Sequence, residues 1–117
     1  MNGPDRRERG LSAEDRACRH LQRHGLQVRE RNFYTRRGEI DLIMEDGDTL
    51  VFVEVRYRAD STRGSALETV GPRKRRRLIH AASTYLQHRR LNCPCRFDVV
   101  AINGDSLEWV ANAFDAA

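Results

Sequence analysis

An α/β fold with a mixed central sheet flanked by helices is what the sequence predicts, in the order helix, three strands, helix, two strands. Three observations predict it: two stretches with apolar residues at helical spacing, runs of β-branched and aromatic residues beside them, and glycine-containing turn signals that join those runs in pairs. A length of 117 residues with 39% hydrophobic content suits one modest core. A single domain over residues 12–112 is expected, after a basic N-terminal tail (1–11) and before a C-terminal tail (113–117).

Ser12 followed by Asp15 is a capping-box start and Gly25 a natural stop, so the first helix is expected over residues 13–24. Glu14, Cys18 and Leu21 share a stripe on it, which places Glu14 on or beside the inward face. "LQVRERNFY" alternates as a short strand near residues 26–33 and ends in the basic turn "TRRG". "EIDLIM" and "TLVFVEVRY" form a hairpin across "EDGD". Residues 59–71 read as a loop with one turn of helix, in which the segment around Gly64 is a candidate to approach substrate. Pro72 then opens a second helix to about Arg90, with Leu78, Ile79, Ala82, Tyr85 and Leu86 as its apolar stripe. "RFDVVAI" and "SLEWV" are the last two strands, joined across "NGD".

The central hairpin carries the chemistry. With Asp46 and Gly47 as the loop residues, Asp41 is expected opposite Phe52, Glu39 opposite Glu54 and Arg37 opposite Arg56. Glu39, Asp41, Glu54 and Arg56 then share one side, while Ile40, Leu42, Met44, Val51, Val53 and Val55 make the other side wholly apolar. Two carboxylates facing each other across neighbouring strands sit about 5 Å apart and repel by about 3 kcal/mol at an effective dielectric of about 20. A cation must neutralise them. Either Arg37 and Arg56 do so as a charge ladder, or a metal does. Carboxylate oxygens completed by a backbone carbonyl and water suit Mg²⁺ or Mn²⁺, the ions of phosphodiester hydrolysis, and do not suit zinc.

The charge balance points the same way. The chain carries a net charge of +4 with its 21 cations gathered in runs, which favours an acidic partner, nucleic acid above all. Arg73, Lys74, Arg75, Arg76 and Arg77 crowd a helix N-terminus, where the macrodipole disfavours cations and a phosphate would relieve both. They are candidate nucleic-acid contacts, together with Arg37. The alternative is a solvated surface face. No apolar stretch suits a signal peptide or a membrane span, and three cysteines, Cys18, Cys93 and Cys95, fit a reducing compartment, so a cytoplasmic protein is expected. His20 with His24 and Cys93 with Cys95 lack the spacing and the second pair that a zinc site needs. Trp109, Phe97 and Tyr85 fall on core-facing stripes and read as packing.

Asp41, the hairpin, and "EVR" where Glu-x-Lys would be expected, preceded by a glutamate on the first helix, resemble the restriction-endonuclease-like PD-(D/E)xK nuclease fold. More closely, "RNF", "GEIDLI", "DGDTLVFVEVR", "GPRKRRRLIHAASTYL" and "RFDVVAI", in that order, look like the YraN-like family of small bacterial proteins, which is similar in layout to Holliday-junction resolvases. The likeness covers about residues 12–110. It implies Asp41 and Glu54 as metal ligands, the Val55 carbonyl as a third, Glu39 as an additional acid and Glu14 as the acid of the first helix. Activity on branched or structured DNA and a homodimer are implied by the same likeness, while the basic run itself suits DNA or RNA. Arg56 departs from the pattern, because a guanidinium stays protonated where a buried ammonium can lose its proton. A non-catalytic nucleic-acid-binding module is therefore the competing expectation. Lys74, the sole lysine, either supplies the missing ammonium from another element or is a solvated member of the basic run.

Overall fold

The computed structural model describes residues 12–58 and 66–116, so the segment around Gly64 and the N-terminal tail lie outside the described residues. The elements follow the expected order: α1 (Ala13–Arg23), β1 (Gln27–Tyr34), β2 (Glu39–Asp46), β3 (Thr49–Arg58), a 3₁₀ turn (Leu67–Thr69), α2 (Pro72–Arg89), β4 (Cys95–Asn103) and β5 (Ser106–Phe114). One five-stranded sheet holds the strands in the order β1-β2-β3-β4-β5. Its pairs are antiparallel except β3 with β4, which the α2 crossover makes parallel.

The two helices cover opposite faces. Ala17, Cys18 and Leu21 of α1 pack on Leu42, Met44, Val51, Val53, Val100 and Ile102. Leu78, Ala81, Ala82 and Tyr85 of α2 pack on Ile43, Leu50, Phe52, Phe97 and Val99. Covered on both sides, β3 is buried from Leu50 through Glu54, which is why its sequence reads as an almost unbroken apolar run. Ser12 caps α1, its hydroxyl accepting from Asp15 N–H at 3.0 Å. β5 continues through Phe114, whose ring stacks on Phe97 at 4.9 Å, so the sheet takes in residues 113 and 114, which the sequence assigns to a tail.

Two features of the central hairpin differ from expectation. Asp46 pairs with Thr49, and Ile43, not Asp41, lies opposite Phe52, a register shift of two residues. The turn residues are thus Gly47 and Asp48, with positive φ at Gly47 (60°) and not at Asp48, as a type II′ turn requires. An Asp46-Gly47 loop would put positive φ on an aspartate. A two-residue shift preserves the faces but changes the partners. Ile40 also leaves its expected side and joins Ile43 beneath α2, so strict alternation breaks between them, at Asp41.

Candidate active site

The β2–β3 ladder stops at Leu42 and Val53, and continuing its register brings Asp41 opposite Glu54. On the other side of β2, Asn32 falls across from Asp41, between the pairs Arg31–Leu42 and Phe33–Ile40. Asn32 has a φ of 54°, a left-handed conformation that asparagine tolerates, and it kinks β1 at this level. Three adjacent strands therefore bring one polar side chain each to the point where the sheet divides. Beyond it, the β1–β2 turn forms one arm and Val55–Arg58, still paired to β4, the other.

Asp41 fastens the split. Its Oδ2 accepts from the Val55 backbone N–H at 2.8 Å, so a side chain satisfies a donor that the shortened ladder leaves over. Glu54 is 3% exposed, and its Oε1 has no hydrogen-bond partner. Its Oε2 lies 3.3 Å from Arg56 Nη1 and 3.7 Å from Lys74 Nζ. Burial, and then the nearby Asp41 charge, push the Glu54 carboxyl up from an ordinary 4.5 to about 7, against the pull of Lys74 and Arg56. Burial also raises Asp41, with help from Glu14 and Glu39, while the Val55 N–H and Lys74 act in the opposite direction.

The sole lysine thus reaches the acids from α2. Arg56 forms the ladder contact with Glu54, but Arg37 makes no ion pair with Glu39. Glu14 accepts from Arg31 Nη2 (2.8 Å) and from Asn32 Nδ2 (3.1 Å), which ties α1 to the kinked part of β1. Among the described residues no group of three or more His, Cys, Asp or Glu side chains closes into a metal cluster. The candidate ligand set is the Asp41 and Glu54 pair with the Val55 main chain. Glu39 lines the neighbouring cleft, from where its charge helps raise Asp41. His20 and His24 lie tilted against each other at 4.5 Å and edge-on to Trp109.

Beside the acids opens a cleft of about 1460 Å³ between the β1–β2 turn and the start of α2. Arg36, Arg37, Arg73, Lys74, Arg76 and Arg77 line it. Gly38 makes its narrow floor, since a Cβ there would stand 2.8 Å from the Arg77 carbonyl oxygen. Thr35 shapes the turn, its hydroxyl donating to Gly38 O at 2.8 Å and accepting from Gly38 N–H at 3.0 Å. On the sheet, arginines outside the cleft are matched to acids, Arg29 to Glu45, Arg31 to Glu14 and Asp15, and Arg96 to Asp46 and Asp98, and Arg89 at the end of α2 is matched to Glu30. By contrast, no ion pair with a described residue engages Arg36, Arg37, Arg73, Arg76 or Arg77. Arg75 turns away from the cleft, donating to the Val70 carbonyl at 2.8 Å and lying over the Phe114 ring. Sequence reasoning missed Asn32 and Arg36. For Asn32 the only available signal is an asparagine inside a strand pattern.

A five-stranded mixed sheet between two helices, in the order αβββαββ, makes this an α/β protein consistent with the restriction-endonuclease-like fold. The chain belongs to the family described as "Uncharacterised protein family UPF0102", whose profile matches residues 13–102. It is similar to UPF0102 proteins of Chromohalobacter salexigens (54% identity, covering 96% of this chain and 94% of the relative) and Dechloromonas aromatica (56%, covering 92% and 89%). A third relative, from Herminiimonas arsenicoxydans, is 51% identical over 92% of this chain and 86% of its own.

Proposed function

We propose that this protein binds nucleic acid in the basic cleft and hydrolyses a phosphodiester with a divalent metal held by Asp41 and Glu54. The observation that carries the reading is Glu54 Oε1, a buried carboxylate oxygen without a partner, at the level of a second acid and beside a run of cations that no described residue pairs. An orphaned buried oxygen is costly, and a hard cation would repay it. The donor set fits Mg²⁺ or Mn²⁺: two carboxylates, the Val55 carbonyl and water. Bound there, the ion would supply Lewis-acid polarisation of the phosphate and a water acidified for attack.

The chain's own residues have distinct parts in this reading. Asp41 is held in place by the Val55 N–H. Arg36, Arg37, Arg73, Arg76 and Arg77 grip the phosphate backbone. Lys74, 3.7 Å from Glu54, brings the ammonium that position 56 lacks, and unlike Arg56 it can give up its proton. Branched or structured DNA is the substrate class that the family likeness suggests.

Incubation of branched and linear DNA with Mn²⁺ or Mg²⁺ tests the reading. Cleavage is expected, lost in Asp41→Asn and in Lys74→Met. A second reading, a binding module without catalysis, draws on the Arg56–Glu54 contact. DNA binding that ignores metal, with no cleavage by the natural chain or by Arg56→Lys, decides for that module.

A further inference from the structure

Among the described residues, three large hydrophobic side chains are exposed: Val28, Tyr34 and Tyr57. Single exposed apolar residues are ordinary on a protein surface, so exposure alone means little. Placement is what distinguishes the two tyrosines. Tyr34 ends β1 opposite Glu39, is 68% exposed and lines the basic cleft among its arginines. Tyr57 is 61% exposed but faces the other side of the sheet, since it pairs with Ile102 of the core beneath α1 whereas Glu54 pairs with Val99 of the core beneath α2. Phe33, next to Tyr34, shows what β1 does with a ring meant for packing: it turns inward, edge-on to Tyr85 at 5.0 Å. Tyr34 has no such contact with a described ring.

We infer that the cleft takes a nucleic-acid strand with unpaired bases, and that Tyr34 is its specificity-determining residue, stacking a base while the arginines hold the flanking phosphates. This deepens the nucleic-acid reading and rests on it. Bases inside a duplex are stacked on one another and present no face to a side chain. An unpaired base presents both, and aromatic stacking is indifferent to its identity. A cleft built only for duplex backbone needs cations and no ring.

Binding of the full chain in EDTA, followed by fluorescence anisotropy, tests this. The probes are an oligo(dT) strand of about 15 nucleotides, near the span that one small domain covers, the same strand without bases, its duplex, and oligo(U). Tyr34→Ala is expected to weaken oligo(dT) binding roughly fivefold or more, to leave the abasic strand unchanged, and to be rescued by Tyr34→Phe. Tyr57→Ala, on the opposite face of the sheet, should leave oligo(dT) binding unchanged. Comparison of oligo(dT) with oligo(U) distinguishes DNA from RNA as the source of the unpaired bases. Equal oligo(dT) affinity of Tyr34→Ala and the natural chain overturns the inference, as does an equal loss on abasic and duplex probes. Both results leave the basic cleft standing, provided that Arg76→Ala with Arg77→Ala weakens every probe. If the natural chain binds none of the probes, the nucleic-acid reading falls and takes this inference with it.

Discussion

Asp98 and Glu54 are the two buried carboxylates among the described residues, 1% and 3% exposed, on adjacent parallel strands, and they are treated in opposite ways. Every oxygen of Asp98 is occupied: Arg96 Nε at 3.0 Å and Asn112 N–H at 2.9 Å on one, Trp109 Nε1 at 2.9 Å and Arg96 Nη2 at 3.3 Å on the other. Glu54 has an oxygen with nothing and a proton affinity raised to about 7. A carboxylate wrapped in donors joins strands, whereas one left short of donors is poised for a ligand. The depth of burial is nearly equal. Satisfaction separates structure from candidate function.

The comparison breaks most readily at Asp98. Asp98→Ala leaves the Trp109 and Asn112 donors and part of Arg96 without their acceptor, and urea unfolding should register a loss of about 3–5 kcal/mol. Metal sharpens the other side. With Mn²⁺ at about a hundred times its dissociation constant, the natural chain should gain about 2.7 kcal/mol of stability in thermal melts, and Asp41→Asn should gain none.

Removing the Glu54 charge should do the opposite of removing that of Asp98. The folded Glu54 keeps its proton up to about pH 7, against 4.5 ordinarily, so the folded chain binds more protons across that window and loses stability as pH rises through it. Without metal, Glu54→Gln escapes this penalty. Its melting temperature should exceed that of the natural chain at pH 8, by the equivalent of about 1–3 kcal/mol, and the gap should close below pH 4.5. A Glu54→Gln variant that melts far below the natural chain at pH 8 would make Glu54 structural, like Asp98. Lys74→Met is the mildest change. Fold stability should move by less than about 1 kcal/mol, but Glu54 loses a cation that lowers its proton affinity, so Mn²⁺ stabilisation should begin at a higher pH.

Much of the site was legible before the fold. The sequence puts Asp41 and Glu54 on one hairpin at neighbouring levels, and the register that forms, two residues away, brings them directly opposite each other. Their partners were not legible. Whether Asp46-Gly47 or Gly47-Asp48 forms the turn depends on which residue takes positive φ, and both dipeptides are acceptable turn sequences. Lys74 could not be told from its arginine neighbours by spacing, since Lys74 turns to Glu54 and Arg75 to the Val70 carbonyl while both sit in one helical turn.

Local chemistry determined the elements of this chain: a serine cap, a proline at a helix start, glycines at turns and apolar periods of 3.6 and two are all read within a few residues. Tertiary structure alone decided which acid meets which, which cation reaches them and which oxygen is left without a partner. Those outcomes are set where β1, β2, β3 and α2 converge, between residues tens of positions apart, and no short-range pattern encodes a distance across a core.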